Sequence, residues 1–355
     1  MTASTALLVT RDEKLLEDML RLAAAAGVVL DVAHDGHAAL RGWASVPVVL
    51  VGVDQLRPVA AHVPPRREAV HVVSADPVPD ELLRAALAIG AENVVELPAA
   101  DAWVVELLTD VADGGTSRAV TVAVIGGSGG VGATTFAAAL AVSAASAADR
   151  ALLVDADPLG GGVDRVVGFE DLPGVRWDSL TQTTGRLSAR SLRDSLPEQD
   201  GLAVLTWGSG GHQPLEPRVV REVVSAAQRG SDCVVVDVPR HPGPATSELL
   251  ARCDEVLLLT GLTVPAVAAT ARVAALLEGV ARGVHLVARE NGSGLDPAEV
   301  AHMLGLPLMA VMPSQRRLAE SIDLGLGPVH ARRGPLATTA RDVLRRLGCP
   351  APGGR

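Results

Sequence analysis

Tyrosine is absent from this chain, phenylalanine occurs only at Phe136 and Phe169, and the only lysine is Lys14. With aromatics at 2% and hydrophobic residues at 48%, the cores must be aliphatic. Every other fixed cation is an arginine, and the net charge is −10. That balance argues against a general nucleic-acid binder, which needs a basic surface for phosphate contacts. Cysteine is sparse: Cys233, Cys253 and Cys349 form no C-x-x-C pair, which points to a reducing cytoplasm and no disulfide framework. No charged n-region precedes an apolar core at the N-terminus, so no signal peptide is expected. Charge is also missing from Ala119 to Ala148, a length that could span a membrane. Glycines and threonines crowd its middle, and strand, loop and helix account for it better.

What stands in that uncharged stretch organises the chain. Val120 to Ile125 is a β-branched apolar run, followed by Gly126-Gly127-Ser128-Gly129-Gly130-Val131-Gly132-Ala133-Thr134-Thr135 and an alanine-rich segment from Phe136. The expectation is a strand, a glycine loop and a helix. Glycines let backbone N–H groups curl around a phosphate, and the helix N-terminus adds partial positive charge. Gly127 and Gly132 have the spacing of the two P-loop glycines, and Thr134 stands where a Mg²⁺-binding hydroxyl belongs. The lysine expected after Gly132 is replaced by Ala133. The alternative is a plain glycine turn in a Rossmann-like sheet.

At 355 residues the chain should hold two domains. Residues 1–112 alternate short apolar runs with helical spacings: Ala6–Thr10, Glu13–Ala26, Val28–Val32, Gly36–Trp43, Pro47–Val53, Ala69–Val73, Asp80–Ile89, Val94–Leu97 and Asp101–Val111. Alternating β and α implies a parallel, doubly wound sheet. This domain resembles the CheY-like receiver fold, whose chemistry needs an acidic pair after the first strand. It also needs an aspartate at the end of the third strand and a lysine after the fifth. Here those places hold Thr10-Arg11, Val53 and Leu97, with Asp12 and Asp54 each one position late. Without clustered carboxylates there is no Mg²⁺ site. The reading is a pseudo-receiver, a docking or dimerising module; a slipped alignment would make Asp54 the acceptor. Residues 113–118 form a polar, glycine-bearing linker, and residues 119–355 a second α/β domain.

Two further carboxylate motifs follow the glycine loop. The run Ala151 to Asp155 ends in Asp155-Ala156-Asp157-Pro158, which puts two carboxylates at the crevice where open α/β sheets bind ligands. Cys233 to Val238 carries Asp237 at its end, before Pro239-Arg240. An aspartate closing a continuous apolar strand is the Walker B arrangement, which serves Mg²⁺. Each motif alone could be a strand-end turn. A phenylalanine-to-leucine stretch, Phe169 to Leu196, reads as irregular, with a conspicuous Arg176-Trp177-Asp178-Ser179-Leu180. Near the C-terminus Arg316, Arg317, Arg332, Arg333, Arg341, Arg345 and Arg346 make the tail locally basic, most simply as a solvated face.

The string S-G-G-V-G-A-T-T resembles the deviant P-loop K-G-G-V-G-K-T-T of the MinD/ParA class, with both lysines lost, to Ser128 and Ala133. Together with D-A-D-P, D-V-P-R, L-G-L-P and the pseudo-receiver, the whole chain resembles the CpaE-like branch of that superfamily, and within it the actinobacterial septum-site-determining group. The resemblance implies a receiver-like domain followed by a MinD/ParA-type P-loop domain with a mainly parallel sheet. It implies ATP and Mg²⁺, weakly bound, held by the loop from Gly127 to Thr135 with Thr134 and Asp237 on the metal side. Asp155 and Asp157 would orient water for hydrolysis. An asparagine–arginine pair that touches adenine in that class is matched here by Ala288-Arg289. The implied role is cytoplasmic positioning, in septum placement or in assembly of a tight-adherence pilus or secretion machine. It would involve protein partners, a homodimer, and membrane contact that is at most peripheral. Two readings stay open: a weak ATPase switch, favoured by Thr134, Asp155, Asp157 and Asp237, and a pseudo-ATPase scaffold, favoured by the missing lysines. Arg165, Arg240 and Arg289 are the candidate replacement cations.

Overall fold

The computed structural model describes residues 5–112, 119–147, 150–180, 187–208, 215–240, 243–290, 292 and 294–349. The expected linker, 113–118, and the last residues, 350–355, lie outside the described residues. The chain divides into two compact units, Met1–Thr116 and Ser117–Arg355.

The first unit carries β1 (Thr5–Val9), β2 (Val29–Ala33), β3 (Val49–Gly52), β4 (Val70–Ser74) and β5 (Asn93–Glu96). They form one sheet in the order β2-β1-β3-β4-β5, with every neighbour parallel. This is a doubly wound order. The helix Glu13–Ala26 starts on Asp12, whose carboxylate accepts from the N–H groups of Lys14 and Leu15, and ends on a left-handed Gly27. It buries Leu15, Met19 and Leu22 against one face of the sheet, next to Val104 and Leu108. Trp43, Leu56 and Ile89 fill the other face.

The sequence places the third strand over Pro47–Val53. In the structure the strand stops at Gly52, and Val53 opens a helix, Val53–Ala61. The reason is the Asp54 carboxylate. Its Oδ1 accepts from the Thr10 hydroxyl at 2.8 Å and its Oδ2 from the Arg11 N–H at 2.7 Å. These bonds draw the chain over the end of β1 and turn it into a helix with an acidic first turn.

The second unit carries β6 (Val120–Gly126), β7 (Ala151–Asp155), β8 (Glu198–Gln199), β9 (Leu202–Leu205), β10 (Cys233–Val238), β11 (Glu255–Gly261), β12 (Val284–Arg289) and β13 (Leu308–Met312). Their order is β13-β12-β11-β6-β10-β7-β9-β8. Among the described residues only the short β8–β9 pair is antiparallel; the other neighbours pair in parallel. Alternate residues of each strand enter opposite layers. Val122, Val124, Val235 and Leu257 pack with Phe136 and Leu140 of the helix Ala133–Ala145 and with Val343 and Leu344 of the helix Pro335–Arg346. Ala123, Ile125, Val234 and Val236 pack with Val220, Val223 and Val224 of the helix Pro217–Gly230. Burial on both faces explains why these strands read as unbroken apolar runs.

The stretch read as irregular, Phe169 to Leu196, contains two short helices, Trp177–Leu180 and Ala189–Ser195; a third, Val163–Val167, lies just before it. A further helix, Pro244–Leu250, follows β10. These pieces are too short to display a helical period, so tertiary packing decides them.

Candidate functional site

The glycine loop leaves β6 at its carboxyl end and enters the helix Ala133–Ala145. Two glycines are dictated by geometry. A β-carbon on Gly127 would lie 2.1 Å from the Thr270 hydroxyl oxygen, and the Gly127 N–H donates to the Leu259 carbonyl at 2.8 Å. The loop is therefore pressed against β11 and the helix Val264–Leu277, where Thr270 is itself anchored on the Thr260 hydroxyl at 2.8 Å. Gly132 has φ +93°, a left-handed conformation that disfavours side chains. It forms the cap of the following helix without any side-chain cap hydrogen bond. The helix N-terminus thus presents backbone N–H groups that no side chain has claimed, as an anion site requires.

Asp155 closes β7 and Asp237 lies near the end of β10, and the two are direct partners across the parallel pair. Both are almost fully buried, at 2% and 4% exposure. Burial pushes the Asp237 carboxyl up to about 7; a hydrogen bond with Thr134 pulls it back, while the charges of Asp155 and Asp157 push it further up. Burial likewise raises Asp155 to about 6, against the opposing hydrogen bonds from Thr206 and from the N–H groups of Asp157 and Val163.

Asp155 is fully engaged. Its Oδ1 accepts from the Asp157 N–H at 3.0 Å, and its Oδ2 from the Thr206 hydroxyl at 2.9 Å and the Val163 N–H at 3.2 Å. Its carbonyl oxygen accepts from the Trp177 indole N–H at 2.7 Å. The carboxylate therefore moulds the loop between β7 and the helix Val163–Val167. Asp157 is half-buried, and its Oδ1 accepts from the Leu159 N–H at 3.0 Å. Of the two acids only Asp157 stands where solvent reaches it.

Sequence reasoning passes over Thr206, Thr260 and Thr270, and notes Trp177 only as part of a conspicuous stretch without a task. The R-W-D-S-L stretch was the available signal. Trp177 is fully buried beneath Asp155, and Asp178 Oδ2 accepts from the Gly208 N–H at 2.7 Å. Arg165 is spent on the loop after β7, donating to the Gly161 carbonyl at 3.1 Å. Arg289, at the end of β12, donates from one nitrogen to the carbonyls of Gly130 at 3.1 Å and Val131 at 3.0 Å. Arg240 follows β10 and comes within 3.7 Å of the place a Gly129 β-carbon would take. Ser128 and Ala133 lie on this loop without a charge to offer.

The residues fit a Mg²⁺–nucleotide. Among the described residues no group of three or more His, Cys, Asp or Glu could hold a metal. Mg²⁺ keeps waters and shares phosphate oxygens, so one carboxylate and one hydroxyl suffice. Thr134 and Asp237 are the residues that would supply these oxygens. Asp237 and Asp155, buried opposite each other on neighbouring strands, bring two carboxylates together where a divalent cation would offset their charge.

A loop-to-helix anion site beside a strand-end carboxylate, on a parallel sheet wrapped by helices on both faces, defines a P-loop nucleotide-binding protein. A CheY-like unit precedes it. The family description "CobQ/CobB/MinD/ParA nucleotide binding domain" matches residues 122–329, and "Rv3660c-like, CheY-like N-terminal domain" matches residues 9–119. The chain belongs to the MinD/ParA nucleotide-binding family, in its CpaE-like branch, with a CheY-like domain in front. It is 38% identical over 342 residues to the uncharacterized protein Rv3660c of Mycobacterium tuberculosis, covering 94% of this chain and 95% of that one. It is similar in fold to the septum site-determining protein MinD complexed with Mg-ADP from Pyrococcus horikoshii, with a TM-score of 0.55 at 19% identity, covering 65% of this chain and 96% of that one. It is similar too to the MinC:MinD cell division protein complex of Aquifex aeolicus, with a TM-score of 0.54 at 21% identity, covering 65% and 96%. Among the described residues no helix is long and apolar enough to cross a membrane.

Proposed function

We propose that this chain is a nucleotide-dependent positioning protein whose second domain, residues 119–355, binds ATP·Mg²⁺ weakly and turns it over slowly. The observation that carries this reading is the glycine loop that leaves β6 and opens the helix Ala133–Ala145, with Asp237 on the neighbouring strand opposite Asp155. The loop from Gly127 to Thr135 would bind the phosphates through backbone N–H groups. Thr134 and Asp237 would hold the metal, which supplies charge neutralisation on the phosphate oxygens. Asp157, exposed enough to reach water, would orient the attacking molecule; Asp155 would hold the loop that carries it. The missing lysines leave little charge to stabilise a departing γ-phosphoryl, which predicts slow turnover.

The cellular role follows the relatives. The similar MinD of Aquifex aeolicus forms a complex with MinC, and that of Pyrococcus horikoshii is named for septum-site determination. By analogy this chain acts in septum-site determination, or in localising a tight-adherence pilus or secretion machine, through a protein partner that reads its nucleotide state. That role is cytoplasmic, with the partner recruiting it to membrane or septum.

Ser128 and Ala133 favour a second reading, a scaffold that keeps the fold and a partner surface without turnover. Calorimetric titration of the full chain with Mg²⁺·ATP tests the first reading: binding is expected in the micromolar-to-millimolar range, weakened by Thr134→Ala and by Asp237→Ala. The double change Ser128→Lys, Ala133→Lys, assayed for phosphate release and ATP-dependent dimerisation, separates the two. A wild type with measurable turnover that the double change accelerates supports the switch. Binding with no turnover supports the scaffold, and no binding defeats the nucleotide reading.

A further inference from the structure

Both lysines of the deviant loop are gone, yet the loop is not without cations. Two arginines reach it from different strands, and their surroundings assign them different tasks. Arg289 comes from the end of β12. Its Nη1 donates to the carbonyl oxygens of Gly130 and Val131, and lies 3.0 Å from where a Gly132 β-carbon would be. In a phosphate-binding loop the N–H groups turn inward to the anion and the carbonyls turn outward. A guanidinium engaged by carbonyls is therefore on the outer side, fastening the loop in shape.

Arg240 reaches the loop from the other direction. It lies three residues past Asp237, on the segment that leaves β10 at the carboxyl end of the sheet. Its Nη2 approaches Gly129, the residue after Ser128, at 3.7 Å from the β-carbon position. Gly129 and Gly130 are exposed, and a β-carbon on Gly130 would meet nothing within 4 Å, so this side of the loop is open. Arg240 is exposed and has no hydrogen bond or ion pair to any described residue. The carboxylates of the site, at Asp155, Asp157 and Asp237, lie on strands and turns at the same end of the sheet, yet none is paired with it.

We propose that Arg240 is the phosphate-facing cation of this site, supplying from the strand-end segment after Asp237 the charge that the loop no longer carries at positions 128 and 133. The proposal rests on the nucleotide-binding reading above. Because Arg240 shares its segment with the metal-side carboxylate, its guanidinium serves the terminal phosphate of its own subunit's nucleotide. Arg289 is a positioning residue that acts through the loop. Arginine suits the task because its planar fork can engage two phosphate oxygens at once and keeps its charge at any working pH.

The test is equilibrium binding of Mg²⁺·ATP and Mg²⁺·ADP to the full chain, with sedimentation to record oligomeric state. Arg240→Ala is expected to weaken ATP roughly tenfold and ADP no more than about threefold, with an unchanged melting temperature of the ligand-free protein. Arg240→Lys should recover part of the ATP affinity. Arg289→Ala should weaken both nucleotides alike and lower the ligand-free melting temperature, because it releases the loop. If Arg240→Ala binds ATP as wild type does while Asp237→Ala does not, the proposal fails and the nucleotide reading stands. If Arg240→Ala keeps ATP affinity but loses an ATP-dependent dimer, the arginine serves the partner's nucleotide, and the assignment to its own subunit is overturned. If wild type binds neither nucleotide, the reading and the proposal fail together.

Discussion

Asp155 and Asp237 face each other as direct partners on adjacent parallel strands, and both are nearly excluded from solvent. The pair shares one field, yet its members differ. Three internal donors hold Asp155, whereas for Asp237 the neighbouring Thr134 hydroxyl is the one group that favours its charged form.

The ligand-free protein should lose stability as pH rises from about 4 to about 7. Asp237 is pushed up to about 7 and Asp155 to about 6, from 3.8, so across that window the folded chain keeps protons that the unfolded chain has released. Asp237→Asn mimics the protonated form. It should raise stability at pH 8 by on the order of 1–3 kcal/mol, with the difference vanishing below about pH 4. Thermal melts of both proteins across pH measure this; an Asn variant that melts lower than wild type at pH 8 contradicts it.

Asp155→Ala and Asp157→Ala should part company. The first leaves the buried Thr206 hydroxyl and the Val163 N–H without their acceptor, and should cost about 2–4 kcal/mol in chemical denaturation. The second removes a half-buried side chain that holds one local N–H, and should cost under about 1 kcal/mol. Asp157→Ala should leave nucleotide affinity nearly unchanged while abolishing phosphate release.

The first domain should accept no phosphoryl group. Asp54, the only acid near the expected position, is bonded to the Thr10 hydroxyl, the Arg11 N–H and the Gln55 side-chain amide. Arg11 stands where an acidic residue would be needed, with its Nε on the His34 carbonyl at 2.6 Å. Incubation of the full chain with a small acyl phosphate and Mg²⁺, followed by mass spectrometry, should show no adduct. Asp54→Ala should instead destabilise the domain by about 1–3 kcal/mol.

Gly127→Ala should damage both fold and site. The added methyl would meet the Thr270 hydroxyl at 2.1 Å and its β-carbon at 2.7 Å, and Thr270 cannot retreat because it is tied to Thr260 and to the Ala266 carbonyl. Denaturant titration should show a loss of about 1–3 kcal/mol, accompanied by weaker nucleotide binding. Gly130→Ala, with open space around its β-carbon position but φ +69°, should cost less.

The sequence by itself determined the class of fold, because unbroken apolar strands alternating with helices have few ways to bury both faces of a sheet. Glu13–Ala26 and Cys233–Val238 lie in the structure where periodicity puts them. Spacing also picked out the loop from Gly127 to Thr135 and the strand-end acids, because these elements are local and the ligand crevice follows from strand order. Tertiary structure alone decided what each charged side chain does. Asp155 and Asp157 look alike in D-A-D-P, and only the fold brings Thr206 and Val163 to one of them. Val53 reads as strand, and it becomes helix because Thr10 and Arg11, more than 40 residues away, hold the next carboxylate. Sequence names Arg165, Arg240 and Arg289 as candidate cations and cannot place their guanidinium groups. The separate positions of Arg240 and Arg289 on either side of one loop arise from strands that are distant in sequence and are brought to one end of the sheet by its order.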